Sequence, residues 1–481
     1  MSRGDLMARL DVRAALRPRG RDGGELAATL PMLRVLLGFE SSLYAAVTPV
    51  LPHYAHTLHA GKPAVGLLAA AYAIGIIPGS LIGGWAASRA GVRRTTISGL
   101  IAFAVTAAAF GFTNDLVLLD LLRIAQGAAS GLIWGGGLAW AIAVAPRERR
   151  GAIIGSVIGA AILGTLAGPL LGVGAVSLGT GPVFSAVGVA ALVLAAWVAR
   201  HCSPSPASPE PAPSAGALTE PSPSAAAMVP DPSAEPATAP RGRPVSRRLT
   251  ASGGLWLGAW LVCFDAMSTG AISALLPLRL SAQGASSVII GAVFLLASAV
   301  ATLVAPVVGR ASDRHGPSRP MSVGLIAGAL LFALLPVPAV WPLLAALTVI
   351  VMSGPLSAFM IPAVPMMTAS AERIGISVVV ATTLVNLAYA IGETVGAPGG
   401  ALLSSAGGDV VPFLVLAGLM LVTLVLVRRH RACAAVTAAQ AVGPPPPAGE
   451  QPAEPGHLRR PRPVTWPRRE GRRSRPLLRR R

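Results

Sequence analysis

Apolar residues in this chain fall in long runs, and most polar residues are confined to the segments between them. Twelve runs stand out, at roughly 31–52, 64–87, 95–113, 116–144, 151–175, 181–200, 254–278, 287–310, 321–339, 341–367, 376–403 and 410–427. Each approaches or exceeds the ~20 residues that a helix needs to cross ~30 Å of hydrocarbon. Inside a bilayer no water is available to bond backbone N–H and C=O groups, so each spanning segment must satisfy them internally. The pattern therefore predicts an all-α membrane protein with twelve transmembrane helices.

The runs repeat at an offset of 225 residues. Phe39-Glu40 recurs as Phe264-Asp265 and Leu51-Pro52 as Leu276-Pro277, Gly66 recurs as Gly291, Gly84 as Gly309, and Arg89, Gly91 and Arg94 as Arg314, Gly316 and Arg319. One offset spans two helices and the loop after them. Duplicated helix sets are the build of secondary transporters, whose halves rock about a site near mid-bilayer. Two pseudo-symmetric six-helix bundles are expected, at 31–200 and 251–430, after an N-terminal segment at 1–30. Between them, 201–250 holds twelve prolines and no apolar periodicity, the composition of a disordered tether. The tail at 431–481 is Pro-rich, then Arg-rich, and is expected to be disordered as well.

Composition supports the membrane reading: 53% of residues are hydrophobic and 12% charged, against about 25% charged in soluble domains. The net charge of +19 resembles a nucleic-acid signal only until it is located. His457–Arg481 holds eleven Arg and one Glu, so more than half of the excess sits in the tail. Arg89, Arg93, Arg94, Arg147, Arg149, Arg150, Arg241, Arg243, Arg247, Arg248, Arg310, Arg314 and Arg319 lie in loops on one side, and the opposite loops offer little beyond Lys62 and Arg279. Positive-inside bias then places both termini and the central loop in the cytoplasm. The charge reports topology, with anionic lipid contact by the tail as a further option, and not nucleic acid. The Arg-rich N-terminal residues lead into a helix without a small-residue cleavage site, so no removable signal peptide is read. Cys202, Cys263 and Cys433 have no motif spacing. His53, His56 and His59 recur every third residue, a pattern that suits a metal less well than an exposed turn. No Gly-Lys-Ser/Thr phosphate loop occurs, so nothing points to ATP, another cofactor or a catalytic residue.

Four acidic residues lie within the runs: Glu40, Asp120, Asp265 and Glu393. Low dielectric penalises a carboxylate's charged form, which brings proton exchange towards neutral pH, whereas a bound organic cation favours the charged form. Proton and cargo can thus compete for one carboxylate. Structural hydrogen bonds to Ser41, Ser42 or Ser268 are the alternative. Arg123 and Gln126, three residues apart, share a helical face. A buried Arg costs about 2.5–3.5 kcal/mol on the mildest scale, so it should face the bundle interior and a partner. Simple neutralisation by Asp120 stays open. Asn386 and Tyr389 on the eleventh helix are further cavity candidates.

Several motifs resemble those of the major facilitator superfamily. Gly84-Trp-Ala-Ala-Ser-Arg-Ala-Gly-Val-Arg-Arg94 and Gly309-Arg-Ala-Ser-Asp-Arg-His-Gly-Pro-Ser-Arg319 look like its G-x-L-A-D-R-x-G-R-R loop, each after the second helix of its half. Gly84 would let helices approach closely, Gly91 would permit a tight turn, and the Arg residues could bond helix ends on the cytoplasmic side. The family's latching carboxylate is kept as Asp313 but is Ser88 in the first copy, which puts the first latch in doubt. Arg123-Ile-Ala-Gln126-Gly127 resembles the R-x-x-Q-G pattern, and the resemblance implies a part for Arg123 in proton relay. Gly164-Thr-Leu-Ala-Gly168-Pro169-Leu-Leu-Gly172 is similar to the helix-five motif of the drug:proton antiporter branch, with a looser echo from Gly392 to Gly400. Phe39-Glu40 followed by Pro49-Val-Leu-Pro52 resembles the vesicular amine transporter group. Together these imply a monomeric inner- or plasma-membrane exporter that exchanges a small hydrophobic or cationic organic molecule for protons. A proton symporter for nutrient uptake or a transporter-fold sensor are the alternatives.

Overall fold

The computed structural model describes residues 21–145, 150–201, 252–336, 342–376 and 378–441. Most of the expected linker, Arg147, Arg149, Cys202 and the tail beyond 441 lie outside the described residues. In chain order, α1 (Arg21–Ala46) runs through a 3-10 turn at Thr48–Val50 into α2 (Leu51–Thr57). Then follow α3 (Lys62–Ala90), α4 (Val92–Gly111), α5 (Leu116–Val144), α6 (Arg150–Thr165), α7 (Gly168–Leu178) and α8 (Thr180–His201). The second half contains α9 (Gly253–Ala282), α10 (Ser287–His315), α11 (Ser318–Leu334), α12 (Pro342–Arg373), α13 (Val378–Gly407) and α14 (Val410–Ala441). Ten helical segments among the described residues are long and apolar enough to cross a membrane, against the twelve expected. The shortfall comes from α11, which has only 17 residues, and from α13.

Two of the expected runs differ in shape from the pattern. The first begins at Arg21 rather than 31, because Leu26, Thr29 and Leu30 face inward and are buried despite their polar neighbours. The fifth is broken into α6 and α7, with Pro169 in the first turn of α7 where its missing N–H leaves no bond unmade.

Each half has its own hydrophobic core. One runs from Leu26 to Val198 and the other from Leu255 to Val427. The duplication reaches into the packing. On α6–α7, Gly164, Gly168 and Gly172 lie against Gly38, Ser42 and Ala46 of α1; a Cβ on Gly164 would come within 2.0 Å of the Gly38 carbonyl oxygen. On α13, Gly392, Gly396 and Gly400 lie against Cys263, Met267 and Ala271 of α9, with 1.9 Å at Gly392. Those three α9 residues are the 225-offset mates of the three on α1. The loose glycine echo in the sequence is thus a structural repeat, with glycine admitting close backbone approach at equivalent contacts.

The halves meet along α3 against α13 and α7 against α10. Gly66 sits under Ala397 and Ala401, and its repeat mate Gly291 sits under Val173. Near the start of α3 the seam is tied by an ion pair from Lys62 to Asp409, with Ser404 bonded to both, and by Ser281 with His56 at 3.5 Å.

The two signature loops turn on Gly91 (φ 87°) and Gly316 (φ 79°), a left-handed backbone that a side chain would strain. The expected close approach at Gly84 is one residue misplaced. A Cβ on Gly84 would meet nothing, whereas one on Gly83 would lie 2.6 Å from the Gly131 carbonyl oxygen. Arg93 donates to the Ala199 carbonyl at the end of α8, and the Arg89 guanidinium lies 4.8 Å from the Trp85 ring centroid. Ser88 bonds only the Trp85 carbonyl at 2.7 Å, Arg94 and Arg314 are exposed, and exposed Asp313 makes no ion pair among the described residues.

Candidate substrate and proton site

Polar side chains on α5 recur at helical spacing: Arg123, Gln126, Ser130 and Trp134. This stripe faces α1 and α3. Glu40, 2% exposed, accepts from Ser130 at 2.5 Å, from Trp134 Nε1 at 2.7 Å, from the Tyr72 hydroxyl and, at 3.4 Å, from Ser41. Four donors thus surround one buried carboxylate, and Glu40 does not line the cavity described below. Of the serines considered from sequence, Ser41 reaches Glu40, but Ser42 bonds the Gly38 and Gly164 carbonyls and Ser268 bonds Phe264.

Arg123 is 2% exposed and stacks on the Tyr72 ring, 4.4 Å from its centroid, while donating to Gln126 at 2.9 Å. Gln126 donates onward to the Thr106 carbonyl at 3.2 Å. Neutralisation by Asp120 does not occur: Arg123 Nε and Asp120 Oδ1 both lack a partner. The aromatic face and the amide replace the carboxylate as neighbours of the buried cation.

A cavity of about 390 Å³ lies between the halves, within the roughly 300–1,000 Å³ range of small-molecule pockets. Arg123, Tyr44, Asp265, Tyr389 and Glu393 line it, with an apolar wall from α10 and α12 that includes Phe294, Met352 and Met360. The α1 residue Tyr44 crosses between the halves to donate to Glu393 at 2.5 Å, and its hydroxyl lies 3.4 Å from that of Tyr389. The other oxygen of Glu393, Oε2, is buried without a partner. Asp265, 8% exposed, has no hydrogen-bond partner among the described residues. The repeat mates have therefore diverged: Glu40 is enclosed by donors and Asp265 faces open volume. Half-buried Asn386 lies outside the cavity lining, whereas Tyr389, one turn later, is part of it.

The structure thus gathers Asp265, Glu393 and Arg123 at one cavity, with Gln126 bonded to Arg123 and Glu40 one contact behind, through Tyr72. Sequence reasoning missed Tyr44, Tyr72, Ser130 and Trp134. A signal existed for the two tyrosines: the chain has only four, and a buried aromatic hydroxyl within a span favours a partner. Among the described residues no cluster of His, Cys, Asp or Glu has metal-site geometry. His56 lies beside Ser281 instead.

The Major Facilitator Superfamily profile matches residues 35–383 and 255–478. The chain belongs to this family of membrane transporters. It is similar to the MFS-type transporter ppzB of Metarhizium rileyi, 36% identical over 93 residues, and to that of Metarhizium majus, 34% identical over 93 residues. These matches span only about a fifth of either chain. Among solved structures, a bacterial homolog of the human lysosomal transporter Spinster, inward-facing and unoccupied, superimposes with a TM-score of 0.61 at 16% identity. It covers 83% of this chain and 94% of its own. That likeness extends to the fold.

Proposed function

We propose that the protein exports a small hydrophobic or cationic organic molecule across the cell membrane in exchange for protons, by alternating access. The observation that carries this reading is the pair Asp265 and Glu393, both more than nine-tenths buried, both lining the cavity, and each with acceptor capacity left open. A desolvated carboxylate binds either a proton or an organic cation, and the two states exclude each other. Glu393 is the natural exchange point, because Tyr44 ties it to the opposite half: its occupancy bears directly on whether the halves stay together. Asp265 helps to neutralise the cargo's charge. Arg123 keeps a fixed positive charge on the cavity wall, and Glu40 holds that charge in place through Tyr72. Gln126 orients the guanidinium, and Asn386 stands one turn from Tyr389 on the α13 approach.

Basic loops on the inside put the Lys62–Asp409 tie at the external face and the signature loops at the cytoplasmic face. On that orientation the Lys62–Asp409 tie closes the outer side of the cavity, and opening it is the step that would expose the site outward. The Gly-Pro break between α6 and α7 and its partner region on α13, both beside the seam, give each half a helix able to bend. In everted membrane vesicles, a proton gradient should drive uptake of a cationic dye, and Glu393→Gln and Asp265→Asn should each abolish the gradient-dependent part. Gradient-driven uptake that survives both substitutions refutes the exchange.

A further inference from the structure

The halves are joined unequally. His56 and Ser281 are 225-offset mates whose side chains lie 3.5 Å apart, and mates that touch must flank the pseudo-two-fold axis. Two seams face each other across that axis. In the first, one face of α13 carries Glu393, Ala397, Ala401 and Ser404 at spacings of four, four and three residues. Every one of them meets the other half. Glu393 accepts from Tyr44, Ala397 and Ala401 pack on Gly66, and Ser404 bonds Lys62 at 3.1 Å beside Asp409. The cavity carboxylate and the Lys62–Asp409 pair are thus the two ends of one stripe. The second seam, α7 against α10, has the same positions without that chemistry. Glu393, Ser404 and Asp409 correspond to Gly168, Gly179 and Phe184, and Lys62 corresponds to Ser287. The described side chains of α7 and α10 make no hydrogen bond to one another; Ser177, Thr302 and Arg310 bond only backbone of their own helices. Val173 against Gly291 is an apolar contact.

We propose that the outer gate is locked on one side only, and that Lys62, Ser404 and Asp409 are positioning residues for Glu393: by holding α13 against α3 they set the acidity at which Glu393 takes up its proton. This rests on the exchange reading above and deepens it. A hydrogen bond to an ionised acceptor is about twice as strong as one to a neutral acceptor, so the Tyr44 tie holds best while Glu393 is charged. A proton arriving there weakens the inner lock, and the outer clasp still has to part. One helix carries both locks. Breaking the clasp shifts population towards the parted seam, where the ionised form no longer has the Tyr44 bond to favour it. The other ionisable groups lining the cavity are Tyr44 of α1, Arg123 of α5, Asp265 of α9 and Tyr389 of α13 itself. None belongs to the clasp. Asp409 does not titrate in the same window: burial pushes its carboxyl up, but the bonds from Lys62 and Ser404 and the charges of Lys62 and Arg279 outweigh this, and it stays ionised above about pH 5.

The test uses the full chain purified in detergent, with spin labels on cysteines placed at Gly61 and Ala406, across the first seam, and the native cysteines replaced. Double electron–electron resonance then reads the parted fraction against pH without any gradient. On the otherwise wild-type chain that fraction should rise as pH falls, with a single midpoint. Lys62→Gln and Asp409→Asn should each raise the midpoint by up to about 0.7 pH unit, about fivefold in population, the limit for a half-exposed ion pair. The double variant should shift no further than either single one, because both break one clasp. Ser287→Ala, at the mate of Lys62, should leave the midpoint where it is. Glu393→Gln should remove the pH response with the clasp intact. An unmoved midpoint in the clasp variants, an additive double variant, or an equal shift from Ser287→Ala overturns the proposal. A response that survives Glu393→Gln belongs to another group, such as His56 beside Ser281, and overturns it too. A seam that never responds to pH in the otherwise wild-type chain sinks the exchange reading at Glu393 itself, a distinct result.

Discussion

Glu40 accepts from Tyr72 and Ser130 on Oε1 and from Trp134 and Ser41 on Oε2. Glu40→Gln keeps the oxygen that serves Tyr72 and Ser130 but turns an NH2 donor onto the Trp134 N–H. A buried donor left without an acceptor costs about 1–3 kcal/mol, and a bond to a charged group contributes about 1.5–3 kcal/mol. The substitution should therefore destabilise the purified protein by about 2–4 kcal/mol, measured by thermal or denaturant unfolding in detergent. Trp134→Phe removes the opposing donor. In the double variant the clash has no second partner, so the combined loss should fall short of the sum of the single losses by about 1 kcal/mol or more. Strict additivity would refute the assignment of Glu40 as an acceptor held by these donors. So would a wild-type-like Glu40→Gln.

Equivalent glycines predict equivalent damage: Gly164→Ala and Gly392→Ala each force a Cβ to about 2 Å from a backbone oxygen and should collapse the yield of monodisperse protein in size-exclusion chromatography, whereas Gly84→Ala should behave as wild type. Burial pushes the Asp409 carboxyl up, but hydrogen bonds from Lys62 and Ser404 and the charges of Lys62 and Arg279 outweigh it and hold the group below its ordinary value. A lowered value means the tie to Lys62 is fully present above the ordinary carboxylate range and lost only as pH falls below it. The Lys62–Asp409 tie should therefore stay closed between about pH 5 and 8, read as the reactivity of a cysteine placed at Gly61 towards an impermeant thiol reagent. Because Lys62 and Asp409 are each 40% exposed, Asp409→Asn should open the tie by no more than about 1 kcal/mol, roughly fivefold in population. Tyr44→Phe removes the bond that joins the halves at Glu393 and should speed opening of the closed side while leaving the fold intact. Double electron–electron resonance between labels on α3 and α13 checks this, and unchanged distance distributions would count against it.

Much of the fold is legible in the sequence because bilayer solvation leaves so few options. Helix positions follow from apolar length, and the 225-residue offset carries over to three glycine contacts per half. Boundaries fail where packing overrides polarity, as at Leu26 and Leu30, or where proline splits a run, as before Pro169. The site is less legible. Glu40 and Asp265 are repeat mates with the same local sequence signal, and only their three-dimensional neighbours distinguish them: Tyr72, Ser130 and Trp134 close around one, and no described side chain bonds the other. Asn386 and Tyr389 are one turn apart, and the small rotation between them decides which meets the cavity. Tyr44 is one turn beyond Glu40, yet its partner Glu393 is 349 residues away in the chain, beyond any local pattern.

The most direct measurement is proton-gradient-driven uptake of a cationic dye in everted vesicles, with wild type beside Glu393→Gln. The amide oxygen of the substituted side chain would still accept from Tyr44, so the contact between the halves is kept while the exchangeable proton is removed. Uptake that follows the gradient in wild type and falls to the level of vesicles without the protein in the variant is the predicted result. Equal gradient-dependent uptake by both would contradict proton exchange at this carboxylate.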